Sequence, residues 1–335
     1  MKDFNQLFET YPLPMTEEAI KADVKNIIDQ RYEQADRLSV CKDLFAHLEL
    51  TTLKVTDNED NVKAFVEKIN DLDEKFPELS KPMGICVYPS WVETVKNSLT
   101  EDVKIVTVVG FPSSQTYLEV KLAETALALS YGADEIDMVL SVGKFLQGNY
   151  DEVFDEISEI KDCCRGAKLK VILETGALGS IENIYKAAIL AMEAGADFIK
   201  TSTGKDNPTN LYHVYAMCKA IDAFNKQTQT KVGIKVAGGV NTKQDALLYY
   251  CVISELLEED WLSPDLFRIG TSKLANALLT EIEKEEVLLK DIPESMKKMQ
   301  TELVERWDEW DISRRNSISP AGCILLAENN YISIR

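Results

Sequence analysis

Two segments of the chain repeat one another: Gly132-Ala133-Asp134-Glu135-Ile136-Asp137 and Gly195-Ala196-Asp197-Phe198-Ile199-Lys200. Each runs from a helix stop into a β-rich run, and the same slot holds Asp137 in one and Lys200 in the other. Side chains alternate along a strand, so if Ile136, Met138 and Ile199 face an outer layer, Asp137 and Lys200 face the opposite way. A third run, Val232-Gly233-Ile234-Lys235-Val236-Ala237, sets another lysine among apolar neighbours, with Gly233 and Lys235 on one face. The plain alternative is a buried lysine paired with a carboxylate for stability. Buried lysines are rare, however, and a second one alongside weakens that account.

Two lysines and a carboxylate point to amine chemistry on a carbonyl. An amine attacks only when unprotonated, and a free lysine, at about 10.4, is almost wholly protonated at neutral pH. Lowering it to about 7 takes roughly 4–5 kcal/mol. A second ammonium about 4 Å away, at an effective dielectric near 20, supplies about 4 kcal/mol, so Lys235 plus some burial suffices for Lys200. Asp137 then handles protons as a carbinolamine dehydrates and a carbon–carbon bond breaks or forms.

Such side chains need strands to aim them. From about residue 46, short β-rich runs alternate with longer amphipathic stretches, the pattern of parallel strands with crossover helices. Eight strands are expected: Leu48–Leu53, Gly84–Tyr88, Lys104–Val109, Glu135–Leu140, Lys168–Glu174, Phe198–Thr201, Val232–Val236 and Phe267–Gly270. Eight units predict an α/β fold of the (β/α)8 TIM-barrel type over residues 46–284. Asp137 and Lys200, on alternate strands, then lie at similar height. Helices are expected over Leu118–Ser130 and Ile181–Glu193, each stopped by a glycine. Residues 1–45 read as an N-terminal helical extension that packs on the barrel, with Thr16 capping a helix that carries Ile20, Val24, Ile27 and Ile28 on one face. Residues 285–335 read as a C-terminal extension, helical over Met296–Trp310 and then partly ordered.

The loops after the seventh and eighth strands are where barrels often bind phosphate through backbone N–H groups. Ala237-Gly238-Gly239-Val240 lets the backbone approach an anion, and Gly270-Thr271-Ser272 leads into a helix start. The rest of the composition narrows the function. The chain has 335 residues, 45% hydrophobic and 28% charged, with a net charge of −19. That charge repels nucleic-acid backbones and anionic lipid, and no basic patch offsets it. No apolar run reaches the roughly 18 residues of a membrane span, and the N-terminus has no signal-peptide core, so a cytoplasmic protein is expected. Seven cysteines without C-x-x-C spacing read as reduced thiols, and two histidines are too few for a three-histidine zinc site, so no metal is expected.

The run Phe198-Ile199-Lys200-Thr201-Ser202-Thr203-Gly204-Lys205, together with Gly233-Ile234-Lys235-Val236-Ala237-Gly238-Gly239-Val240, resembles the signature pair of the deoxyribose-phosphate aldolases. Leu50-Thr51-Thr52-Leu53, Cys86-Val87-Tyr88-Pro89, Gly132 to Val139, Glu174-Thr175-Gly176 and Arg268-Ile269-Gly270-Thr271-Ser272 extend the likeness over about residues 45 to 283, in the family's order. The resemblance implies a class I, metal-independent lyase of deoxyribonucleotide catabolism that needs no cofactor. Its reaction would be reversible cleavage of 2-deoxy-D-ribose 5-phosphate to acetaldehyde and D-glyceraldehyde 3-phosphate. It implies that Lys200 forms the Schiff base, Lys235 tunes it and shares in proton transfer, and Asp137 is the proton donor and acceptor. It implies further that Thr203 and Lys205 line the substrate site and that Gly238, Gly239 and Ser272 hold the phosphate. The partners are then a small sugar phosphate and an aldehyde, and the assembly, as often in the family, a homodimer.

The chain departs from the family pattern in places. Glu49 stands where many members have aspartate, Lys273 where some have a small hydroxyl residue, and Tyr331 lies in an unmatched tail. Cys86 is expected to be a buried thiol near the pocket, and His47 and His213 to be structural. Two other readings stay open: a Schiff-base aldolase or transaldolase-like enzyme on another sugar phosphate, and a non-catalytic sugar-phosphate-binding barrel.

Overall fold

The computed structural model describes residues 3–205 and 208–291. Eight parallel strands close into a barrel in chain order: β1 (Leu48–Thr51), β2 (Gly84–Val87), β3 (Lys104–Val109), β4 (Glu135–Val139), β5 (Lys168–Ile172), β6 (Phe198–Lys200), β7 (Gly233–Ala237) and β8 (Phe267–Thr271). The expected (β/α)8 architecture is therefore present. Three helices precede it, α1 (Phe4–Thr10), α2 (Glu17–Ala35) and α3 (Leu38–Ala46). Between strands lie α4 (Glu59–Asn70), α5 (Leu72–Lys75), α6 (Val92–Ser98), α7 (Leu118–Ser130), α8 (Val142–Leu146), α9 (Tyr150–Cys163), α10 (Ile181–Glu193), α11 (Leu211–Thr228) and α12 (Lys243–Leu256), and α13 (Leu274–Asp291) follows β8. Of the expected 285–335 extension, only the backbone at the end of α13 falls within the described residues; Met296–Trp310 and Tyr331 lie outside them.

The Thr16 hydroxyl caps α2 by accepting the Ala19 N–H, and Glu17 and Glu18 occupy its first turn. Ile20, Val24 and Ile27 are buried, and α2 packs on α11 and α12, where the Tyr215 hydroxyl donates to Asp23 at 2.6 Å. The outer core lies between helices and strands and takes in Ile136, Met138 and Ile199, as alternation required.

A repeated joint fixes how β4 and β6 present their inward side chains. At the end of α7, Gly132 takes φ +108, and the N–H groups of Gly132 and Ala133 bond to the carbonyls of Leu129 and Ala128. At the end of α10, Gly195 takes φ +98, and Gly195 and Ala196 bond to Met192 and Ala191. This paired closure uses glycine because the position is left-handed. The next residue then grips the preceding strand. Asp134 donates its N–H to the Ile105 carbonyl at 2.8 Å and accepts the Ile105 N–H on Oδ2 at 2.8 Å. Asp197 does the same with Leu169, at 2.9 and 2.7 Å. Three residues on, Asp137 stands opposite Val108, and Lys200 opposite Ile172.

Several strands end earlier than their apolar runs suggested. β5 stops at Ile172, not Glu174, because Glu174 takes a left-handed φ of +52. β1 stops at Thr51, not Leu53, where the chain turns and Thr52 donates its hydroxyl to Asp57 at 2.8 Å.

The barrel interior is divided by chemistry. On one side Leu53, Cys86, Val106 and Val108 form a small apolar cluster, with Tyr88 and Phe111 against it. The other side carries charge from β1 and β4–β8. Phe198 supports that side: its ring lies under the Arg268 guanidinium, 5.3 Å from the centroid, and near the Lys170 ammonium at 6.0 Å. Gly233 makes room for this ring, since a Cβ there would overlap its atoms. A Gly233→Ala substitution should therefore cost about 1–3 kcal/mol of stability, the usual range for overpacking a core. Urea denaturation checks this; a midpoint equal to wild type would show that Phe198 moves aside freely.

Candidate active site

Asp137, Lys200 and Lys235 meet inside the barrel, as their spacing predicted. Lys200 Nζ is 2.8 Å from Asp137 Oδ2, and Lys235 Nζ is 2.6 Å from the same oxygen. Lys200 and Lys235 stand opposite one another across the β6–β7 pairing. The cluster is larger than those three. Lys170 Nζ lies 3.0 Å from Asp137 Oδ1, 2.5 Å from Glu135 Oε2 and 3.4 Å from Glu49 Oε1. Glu49 also pairs with Lys235, and with Arg268 at 3.1 Å. Arg268 reaches Glu135 at 3.4 Å. All seven side chains are buried.

Sequence reasoning had not assigned Lys170, Arg268 or Glu135, although for Lys170 and Arg268 a signal was present: a charged residue flanked by apolar ones within a strand. Glu49 had been noted only as a departure, and it proves to be the second carboxylate on Lys235. The extra methylene relative to aspartate lengthens the reach of a side chain that touches three cations.

This cluster counts four basic and three acidic groups among the described residues. If every group is ionised, one positive charge is left unmatched in a dry interior; if one lysine is neutral, three acids match three bases. Of the three lysines, Lys200 is the one whose amine is lowered. Burial pushes its amine down from the ordinary lysine value, the Asp137 carboxylate opposes this, and the Lys235 charge adds to it. Burial is thus the larger cause, where the spacing alone had put the neighbouring ammonium first. The other lysines are held charged: burial pushes Lys170 and Lys235 down, and the carboxylates of Asp137 and Glu49 more than reverse it. Asp137, pushed up by burial, is held well below the ordinary carboxylate range by Lys170, Lys200 and Lys235. A carboxylate and an amine of lowered basicity at hydrogen-bond distance are suited to adding the amine to a carbonyl and moving the protons that follow.

The loops above the cluster are tied together. Thr203 donates its N–H to Glu174 Oε2 at 3.1 Å, and its hydroxyl accepts the Lys205 N–H at 3.2 Å. Lys205 Nζ donates to the Leu53 carbonyl and lies 5.9 Å from the Phe111 ring centroid, so it crosses from the loop after β6 to the loop after β1. Ser202 and Thr201 both donate hydroxyls to the Ala237 carbonyl, at 2.6 and 2.8 Å, fastening the β6 and β7 ends. Gly238 (φ +91) and Gly239 (φ +87) follow; a Cβ on Gly238 would overlap Ser202 Oγ, whereas one on Gly239 would meet open space. Thr271 donates to the Val240 carbonyl at 2.9 Å and accepts the N–H groups of Lys273 and Leu274, and Ser272 and Lys273 are exposed at the start of α13. Gly239 and Ser272 thus belong to adjoining loops joined by Thr271.

Cys86 is buried beside Val106 and Val108, and burial pushes its thiol up. His47 is held between the carbonyls of Asp43 and Leu262, and His213 lies against Thr175 and Asn210.

Residues 28–249 match the family model described as DeoC/LacD family aldolase. The deoxyribose-phosphate aldolase of Mus musculus is 38% identical over 256 residues, covering 71% of this chain and 78% of the mouse protein. Among solved structures, QR15, an aldolase, is 29% identical with a TM-score of 0.60, covering 73% of this chain and 99% of its own. The deoxyribose phosphate aldolase from Aeropyrum pernix, described as a unique tetrameric structure, is 26% identical with a TM-score of 0.60, covering 77% and 97%.

The electrostatics carry a consequence for stability. Burial pushes the Glu49 carboxyl up, but Lys170 and Lys235 overturn this and hold it at about 2, against 4.5 for an ordinary glutamate. A carboxyl depressed in the folded state stabilises fully above its unfolded value and loses that contribution as pH falls toward the folded one. Glu49→Gln should cost about 3–5 kcal/mol at pH 7, the scale for breaking a buried pair. The gap from wild type should narrow below pH 4.5 and close near 2. Guanidinium denaturation across this range tests it; a gap that does not change with pH would mean Glu49 acts through packing alone.

Proposed function

We propose, for a chain that belongs to the DeoC/LacD family of aldolases, that its reaction is the reversible cleavage of 2-deoxy-D-ribose 5-phosphate to acetaldehyde and D-glyceraldehyde 3-phosphate through a Schiff base on Lys200. The observation that carries this reading is the Lys200 amine, pushed toward neutrality by burial and set 2.8 Å from the Asp137 carboxylate. In this reading Lys200 Nζ adds to the C1 aldehyde of the open-chain sugar phosphate, and loss of water gives the iminium. The C3 hydroxyl yields its proton as the C2–C3 bond breaks; the electron pair passes into the iminium, leaving an enamine and releasing D-glyceraldehyde 3-phosphate. Protonation of the enamine carbon and hydrolysis return acetaldehyde and the free amine. Asp137 exchanges these protons through Oδ2, with Lys235 as the donor and acceptor beside it.

Phosphate binding falls to Gly238, Gly239 and Ser272, supported by the open space at Gly239 and by the helix start at α13. Thr203 and Lys205 line the sugar's path. A cytoplasmic setting fits Cys86, Cys163, Cys164, Cys218 and Cys251, which are free thiols. Among the described residues no helix is long and apolar enough to cross a membrane. A homodimer is supported by the exposed apolar side chains Tyr117, Val120, Leu127 and Tyr131, spaced along one face of α7.

Borohydride trapping with acetaldehyde, followed by peptide mass spectrometry, should place the reduced adduct on Lys200, and Lys200→Ala should abolish turnover of deoxyribose 5-phosphate in a folded protein. Appreciable activity in that variant would refute the assignment, and a panel of other sugar phosphates turned over faster would move it to a different aldolase substrate. Sedimentation should give twice the 37.7 kDa chain mass, and Leu127→Glu should shift it toward the monomer. A wild-type monomer would exclude the dimer.

A further inference from the structure

Lys170 is a third lysine buried inside the barrel, and the reaction above does not use it. It lies on β5, opposite Asp137 in the β4–β5 register, and its fully buried ammonium sits among the carboxylates of Asp137, Glu135 and Glu49, at 3.0, 2.5 and 3.4 Å. An ammonium has three donors, so each carboxylate can take one. The two Asp137 oxygens consequently have different partners: Oδ1 faces Lys170, and Oδ2 faces Lys200 and Lys235. We propose that Lys170 is a positioning residue of the aldol reaction: by holding Oδ1 it fixes the Asp137 carboxylate so that Oδ2 alone serves Lys200 and Lys235.

Two physical arguments support this assignment, which rests on the Schiff-base reading. First, the terminal torsion of an aspartate is broad, so a carboxylate bonded at one oxygen only would turn and spread its lone pairs over several directions. A second, opposed partner removes that freedom and aims Oδ2. Second, a buried carboxylate needs opposite charge. Lys170 and Lys235 both contact Asp137 and meet that need without a charge on Lys200. The groups facing this point from the surrounding strands are Glu49, Cys86, Glu135, Lys200, Lys235 and Arg268, and β3 presents Val106 and Val108.

The test separates the position of the carboxylate from its charge. Lys170→Arg keeps the cation but alters the donor geometry. The double variant Lys170→Met with Glu135→Gln removes one base and one acid together, so that the remaining acids are not left in excess. Both are read by borohydride trapping on Lys200 as a function of pH, and by deuterium incorporation into the acetaldehyde methyl group in heavy water, which reports proton transfer at the enamine carbon. Adduct should still form on Lys200 in both. Deuterium incorporation per adduct should fall at least tenfold in both, while the pH for half-maximal trapping should stay within about half a unit of wild type, because one base still exceeds the acids in each. A purely structural lysine would lower the melting temperature and leave deuterium incorporation at the wild-type value in the folded protein, and that result in either variant overturns the proposal. Absence of an adduct on Lys200 in the wild-type protein would instead overturn the Schiff-base reading itself.

Discussion

Seven ionisable side chains within the barrel must satisfy one another, because all seven are buried from bulk solvent. Removing a charged group from water costs several kcal/mol even after relaxation, and only close, multiple pairing offsets it. Asp137 is the centre of this pairing. It draws on three lysines from three different strands, and those strands must be closed into a barrel, with the correct register, for the contacts to exist. A slip of one residue in any of them would turn its lysine outward into the helix layer.

The same burial that endangers the fold makes the chemistry available. In water a lysine amine is a poor nucleophile at neutral pH because it is protonated. Here the apolar wall of Leu53, Cys86, Val106 and Val108 faces the charged side, and the one lysine of the cluster without a second carboxylate is the one whose amine is lowered. Lys235 has two carboxylates and Lys170 three, and both stay charged. The difference between a lowered and a raised amine on adjacent strands is therefore a difference in how many anions each can reach.

The strands and the central triad were legible in the sequence because both depend on local alternation. Asp137, Lys200 and Lys235 sit in runs where every other residue is apolar, and two of them share an echoed segment. Lys170 and Arg268 show the same alternation, yet their importance depends on partners brought together only by closure: Glu49 lies 219 residues from Arg268 and 186 from Lys235. Eight units imply that β8 returns beside β1, but no local pattern announces which of their side chains meet. Strand ends were less legible still, since the left-handed turn at Glu174 places a non-glycine residue where only the surrounding structure can hold it. Lys205 could be assigned to the mouth of the barrel from its motif, but not to the Leu53 carbonyl, because the direction of a long side chain is settled by its neighbours in space.

The paired joints at Asp134 and Asp197 bear on how such a barrel can change over time. Both lie at the start of a strand, at the end of the barrel opposite the loops that carry Thr203, Gly239 and Ser272, and both set the height of the residue three positions later. Alignment and recognition are thus assigned to opposite ends of the same strands. Insertions and substitutions in the loops after β5, β6 or β8 can accumulate without moving the reacting side chains relative to one another. A lineage of such proteins can accordingly diversify its loops while inheriting the alignment of its central cluster unaltered, and the aspartates that protect that inheritance bond to the neighbouring strands at Ile105 and Leu169.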